Sequence, residues 1–431
     1  LYLAVGQGVF LLTGYLLHAY LARSLTPSMY GVFGVAMVVL GWAEITVNNG
    51  VPSALQKFLP DSSLPEHSVR RAAARSQLAI GVGVFLVLFL AAPWLAGLLN
   101  DPSLTGYLRL AFVDILAMAA YGYYRGVLNG WRVFRQLAAT ITIYALTKLL
   151  AMSLLVYLGW GVEGALIGNV VASLGGLAAG FLWTLRRRAG RGTSSVSLSA
   201  APEVGVSATQ AGAYAHPDSM SAGKTVNERA ILAFVLPVVL FTLASNVLLG
   251  LDLMGVKALV ADPDQVGYYT AAVNLANAPR LVLLAFSFAL LPALSHAIAT
   301  RDQTQTRHYL QQVIRLLALV LLPLVALVTA TAGPLVTFVF TADYLPAVPI
   351  LTVLIFTYAA YTVYITLVVA LLAENRPGRA LAIPLALLPA AILLVWLGVT
   401  WLGTQGAAFA SFVCVATAAA VVNVYVFRRF R

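Results

Sequence analysis

Thr140, Tyr144, Thr147 and Lys148 recur at i, i+4, i+7 and i+8 within an otherwise apolar stretch. On a helix that spacing puts all four on one face. Tyr107, Asp114, Tyr121 and Arg125 form a second stripe, and Thr270, Asn274 and Asn277 a third, with Arg280 close behind. Gln7 and His18 align on a further helix, about three turns apart. Side chains of these types bind, orient or carry ions. Arg109, Lys148 and Arg280 are cations, and Glu44, Asp114 and Asp252 can take a proton or Na+. Bond-making is not indicated: the sequence has no P-loop, metal-ligand cluster or nucleophile constellation, so no catalytic residue, metal or cofactor is expected.

The elements that position these groups belong to a membrane. The 431 residues are 61% hydrophobic and only 10% charged, with a mean hydropathy of +0.90; a soluble domain carries roughly 25% charged residues. Apolar runs of about 20 residues, the length of a spanning helix, recur from end to end without the alternation of barrel strands. The expectation is an all-α polytopic membrane protein of about twelve transmembrane helices. They fall near 1–22, 30–56, 76–98, 104–124, 136–158, 161–185, 229–256, 265–296, 311–341, 346–373, 378–400 and 404–427. The first run has neither a basic n-region nor a small-residue cleavage site, so it is not read as a signal peptide. Cys414, the single cysteine, reads as a packed thiol.

A charge at the bilayer centre costs roughly 2.5–3.5 kcal/mol, which makes each embedded one a functional candidate by default. Plainer readings stand beside these. Asp114 and Lys148 can be a structural ion pair, Arg109 can snorkel to an interface, and Arg23 and Lys257 can anchor span ends. His18 is read first as a satisfied interhelix histidine.

Of the 26 Lys and Arg residues, 20 follow even-numbered spans or close the chain, only Arg23 and Lys257 lie on the other side, and four fall within or at the ends of spans. Cytoplasmic loops carry the positive excess. Both termini are therefore expected in the cytoplasm, and the net charge of +11 reports topology rather than a nucleic-acid partner. Residues 186–228, rich in Ser, Ala and Gly, read as a flexible cytoplasmic linker between lobes of six spans, 1–185 and 229–431.

The two halves repeat. "ARSLTPSMYGVFGVA" (22–36) and "ALVADPDQVGYYTAA" (258–272) align Pro27 with Pro263, Gly31 with Gly267 and Phe33 with Tyr269. Pro52 then meets Pro292, Tyr121 and Tyr124 meet Tyr361 and Tyr364, and "EGA" (163–165) meets "QGA" (405–407). Six spans per copy is an even number, so the repeat is parallel, an arrangement found in transporters. The first offset sets Glu44 against Arg280. The pair can meet across a cleft in one state and part in another; two separate pairs within the halves are the alternative.

"LARSLTPSMYGVFGVA" (21–36), "GLDLMGVKALVADPDQVGYYTAA" (250–272), "LLPALSHA" (290–297) and "GVLNGWRVFR" (126–135) resemble stretches of the MOP (MATE-like) superfamily. The likeness is to its polysaccharide-type branch, the flippases of lipid-linked oligosaccharides. The resemblance implies two six-helix lobes around a cavity, alternating access across the cell membrane, and a role in cell-surface polysaccharide biosynthesis. Its substrate would be a lipid-linked saccharide, whose pyrophosphate needs cations and whose sugars need Tyr, Asn and Thr partners. Arg23, Arg109, Asp114, Tyr121, Tyr144, Lys148, Asn274 and Asn277 are the cavity candidates. Glu44, Arg280 and Asp252 are the gating or coupling candidates, with a proton or Na+ as the candidate ion. Membrane lipids, and polymerase or glycosyltransferase machinery, are the expected partners. A multidrug exporter of the same superfamily and, further off, a membrane glycosyltransferase or polymerase are the rival readings. The embedded cations would repel cationic drugs, and the short outer loops leave little room for a sugar donor.

Overall fold

The computed structural model describes residues 2–60, 65–191, 228–279, 303–373 and 377–429, and among these there is no strand. The helices are α1 (Tyr2–Ser24), α2 (Pro27–Asn49), α3 (Val51–Phe58), α4 (Glu66–Leu98), α5 (Leu104–Gly130), α6 (Phe134–Leu155), α7 (Gly161–Arg191), α8 (Glu228–Leu259), α9 (Pro263–Ala276), α10 (Gln303–Ala330), α11 (Ala332–Val339), α12 (Val348–Ala373) and α13 (Pro377–Arg429). Nine stretches of the described residues are long and apolar enough to cross a membrane. Two of them, Phe134–Arg187 and Leu381–Val426, each hold two of the expected spans. Most of the expected eighth span lies outside the described residues. The chain is thus an all-α polytopic membrane protein, and about twelve spans fit it.

The double-length stretches are divided by glycines that only glycine suits. Gly161 sits at φ 54°, ψ −134°, and Gly403 at φ 60°, ψ −139°. A side chain is strained at such angles. Each glycine stands two residues before the repeated "EGA" or "QGA". The second expected span is also broken. Pro52 has no N–H to donate, and the chain bends at Gly50 to begin the short α3. Gly122, Gly126 and Gly130 of α5, at i, i+4 and i+8, leave a groove in which Pro52 and Leu55 lie against bare backbone.

The chain forms two compact units. The first holds α1 through Leu25, the stretch from Ala36 through α7, and the start of α8 as far as Val239. Its core includes Val51, Leu55, Val69, Ala73 and Val127. The second holds Thr26–Val35 and the chain from Leu240 onward. Val313, Leu317 and Leu321 form one of its cores, and Cys414 packs with Leu248 and Ala391 in another.

Within the second unit the opening residues of α2 cross α9. Pro27 and Pro263 each occupy the first position of their helix, where a missing N–H costs nothing. A methyl added to Gly31 would stand 2.7 Å from the Gly267 nitrogen, and one added to Gly267 would run into the Pro27 carbonyl. The repeated glycines are therefore the contact surface of this crossing. Residues 192–227, which hold most of the expected linker, lie outside the described residues.

Candidate functional site

The first unit brings the stripes of α5 and α6 together. Ile143, Leu146, Leu150 and Leu154 of α6 are exposed, forming the face an apolar solvent would wet. Thr140, Tyr144 and Lys148 lie on the opposite side, toward the bundle. There α7 packs against both α5 and α6, and α1 packs against α6.

Asp114 of α5 is fully buried and accepts a hydrogen bond on Oδ2 from the Asn169 side-chain nitrogen of α7 at 2.8 Å. Ser173, one turn further along α7, lies beside the same carboxyl. Among the described residues, Asp114 Oδ1 and Asn169 Oδ1 are buried and accept no hydrogen bond. Glu44 of α2 is the neighbouring acid. Lys148 acts electrostatically on both carboxyls, and Arg125 acts on Glu44. Among the described residues Lys148 makes no ion pair within 4.0 Å. The ammonium instead stands 5.9 Å from the centre of the Tyr144 ring.

Aromatic rings complete the wall. Tyr121 and Tyr144 stack with centroids 5.4 Å apart and planes 21° from parallel. Phe10 of α1 stacks on Tyr144 at 6.1 Å, and the Arg125 guanidinium lies 5.5 Å from the Tyr121 ring. Gly176 of α7 makes room for this stack, since a methyl there would come within 2.9 Å of the Tyr121 ring. His18 of α1 has Lys148 among its charged neighbours. Cations, ring hydroxyls and two acids thus share one buried region. Such a set can hold an anion, accept hydroxyl groups or exchange a small cation.

The other expected residues are dispersed. Arg109 lies 5.1 Å from the Phe89 ring, away from the stack, and its Nε has no partner. Arg23 is exposed at the end of α1. Asp252, Asn274 and Asn277 belong to the second unit. The Asp252 carboxylate accepts from the Tyr269 hydroxyl at 2.7 Å and from the Leu253 backbone at 2.8 Å. Asn274 donates to the Tyr30 hydroxyl at 3.1 Å, while Asn277 closes α9 with a buried oxygen that has no partner among the described residues. Arg280 lies outside the described residues, and with it the expected Glu44–Arg280 pairing.

Asn169 and Ser173 were not among the candidates, although their i, i+4 spacing on an apolar helix is the same signal that marks α6. Gln77 of α4 was also missed. Its amide donates to the Val47 carbonyl at 2.9 Å and the Ala119 carbonyl at 2.8 Å. Val47 is in the last turn of α2, where carbonyls have no helical donor.

Solved membrane proteins share this all-α polytopic fold. An inward-facing multidrug resistance MATE family transporter of the MOP superfamily matches with a TM-score of 0.77 at 14% identity, over 96% of this chain and 94% of its own. An outward-facing member matches at 0.66 and 15%, over 100% and 94%. A MOP superfamily transporter from Pyrococcus furiosus Vc1 matches at 0.64 and 13%, over 100% and 94%. No curated protein matches in sequence. The family model described as polysaccharide biosynthesis protein matches residues 1–298, and the chain belongs to that family.

Proposed function

We propose that this chain is a flippase, moving a lipid-linked oligosaccharide from the cytoplasmic to the outer leaflet of the cell membrane by alternating access of two six-helix lobes. The observation that carries the reading is the buried cluster of Glu44, Asp114, Tyr121, Tyr144 and Lys148 in a chain of the polysaccharide biosynthesis family. Lys148 and Arg125 offer charge to a pyrophosphate, and Tyr121, Tyr144 and Asp114 offer partners to sugar hydroxyls. Glu44 and Asp114 in the first unit, and Asp252 in the second, supply acids for coupling to a proton or Na+. No bond is made or broken, so the protein is not an enzyme in this reading. Both termini face the cytoplasm by the distribution of Lys and Arg, where polymerase or glycosyltransferase machinery is the partner.

The MATE-type fold favours a second reading, export of cationic drugs. Against it stand Lys148 and Arg125 beside the acids. In the Pyrococcus furiosus transporter, reversed pocket polarity suggests a different function. Deleting the gene separates the two readings. The flippase reading expects an undecaprenyl-type lipid-linked saccharide to accumulate. Unchanged saccharide pools together with new sensitivity to cationic drugs would overturn it.

A further inference from the structure

Away from the polar cluster, the end of the first unit where α4 begins and α5 finishes carries a pocket of about 440 Å³. It is lined by Glu66, His67, Arg70, Arg71 and Ala74 of α4 and by Tyr123 of α5. The five α4 residues fall at i, i+1, i+4, i+5 and i+8, which is one helical face.

The pocket's single acid is already engaged. Glu66 Oε1 accepts from the Trp131 indole N–H at 3.0 Å and pairs with Arg70 Nη1 at 3.5 Å. Arg70 is held from several sides. Its guanidinium lies 5.1 Å from the Trp131 ring, and its backbone carbonyl accepts from the Tyr123 hydroxyl at 3.4 Å. Arg187 lies against the same indole at 4.9 Å. Among the described residues Glu66 makes its ion pair with Arg70, while the exposed guanidinium of Arg71 makes none, with His67 beside it. One turn past Ala74, Leu78 opens the exposed apolar surface of α4, which continues through Val82 and Leu86.

A cationic pocket that runs directly into a lipid-facing helix fits a molecule with an anionic head and an acyl tail. A single exposed guanidinium on the lining fits the one negative charge of a phosphodiester. We infer that this pocket binds the phosphodiester headgroup of an anionic bilayer phospholipid, with Arg71 as the phosphate partner and Leu78 and Val82 along the tail. The site is separate from the buried cluster and does not depend on what the protein transports.

Native mass spectrometry of the purified full-length chain tests this, with dioleoylphosphatidylglycerol, dioleoylphosphatidylcholine, farnesyl diphosphate and inorganic phosphate as probes. Phosphatidylglycerol should be retained over the other three. Arg71→Gln should weaken it about tenfold, as loss of a charge-assisted hydrogen bond does. Arg75→Gln, one turn away and outside the pocket lining, should leave it unchanged. Arg71 is exposed, so its variant keeps the fold, which circular dichroism checks. Equal retention of phosphatidylglycerol by wild type and Arg71→Gln would overturn the inference. So would tighter binding of farnesyl diphosphate or inorganic phosphate than of phosphatidylglycerol. Transport plays no part in this readout, so its failure leaves the flippase reading standing.

Discussion

The helices that follow Gly161 and Gly403 begin alike and then part. The two glycines share nearly the same φ and ψ, and eight residues on from each stands a buried polar side chain, Asn169 in one and Ser411 in the other. Each of these faces a buried acid of its own unit. Asn169 reaches Asp114, and Ser411 lies beside Asp252. The company of the acids differs. Asp114 has Glu44 and Lys148 around it and an oxygen with no hydrogen bond. Asp252 has both oxygens engaged, one by Tyr269 and one by the backbone. The aligned tyrosines sharpen the contrast. Seven residues before Tyr121 stands Asp114, and seven before Tyr361 stands Leu354, fully buried. The duplicated property is the backbone. Among the described residues, Asp114 of the first unit keeps an oxygen without a hydrogen bond, whereas Asp252 of the second has both of its oxygens engaged.

The largest effect should come from the first unit. Lys148→Ala removes the ammonium that acts on both Glu44 and Asp114 and leaves the two carboxyls facing each other. Loss of complementation is expected for Lys148→Ala and for Asp114→Ala, with both proteins still found in the membrane fraction. Normal complementation by both would remove the cluster from the mechanism. Tyr269→Phe in the second unit should lower thermal stability by about 1–3 kcal/mol, the cost of stranding a buried acceptor. A melting curve that does not move would show that Asp252 is not held as described. The two turn glycines test the sameness of the backbones. Nothing lies within 4 Å of a methyl added at either position, so Gly161→Ala and Gly403→Ala report backbone strain alone, roughly 1–2 kcal/mol each. Unequal losses would break the equivalence of the turns. Arg23→Ala should be the smallest change, within about 0.5 kcal/mol in a denaturant titration, as for other exposed sites.

Helical periodicity and hydropathy made most of this legible in the sequence. The apolar runs mark the helices, and the polar stripes of helical period single out Asp114 and Tyr121 on α5 and Tyr144 and Lys148 on α6, each on its own helix. Asn169 and Ser173 escaped because small polar residues in a Gly- and Ala-rich helix also serve plain packing. Gln77 escaped because its role is to cap a carbonyl at the end of α2, which is visible only once Gly50 is known to end that helix. The placement of Thr26–Val35 in the second unit was equally hidden. The repeat showed that Gly31 and Gly267 are alike, but not that they lie against each other, since pairing across so many residues is a tertiary property.

Movement of a lipid-linked saccharide between leaflets can be followed by leaflet assignment in liposomes. The purified chain would be reconstituted with an undecaprenyl-linked saccharide placed in the inner leaflet, and the sugar reached by an external glycosidase followed over time. Wild-type protein should expose the sugar well above protein-free liposomes, and Lys148→Ala should not. Exposure by the wild-type chain no faster than in protein-free liposomes, for the saccharide that accumulates on gene deletion, would contradict the flippase reading.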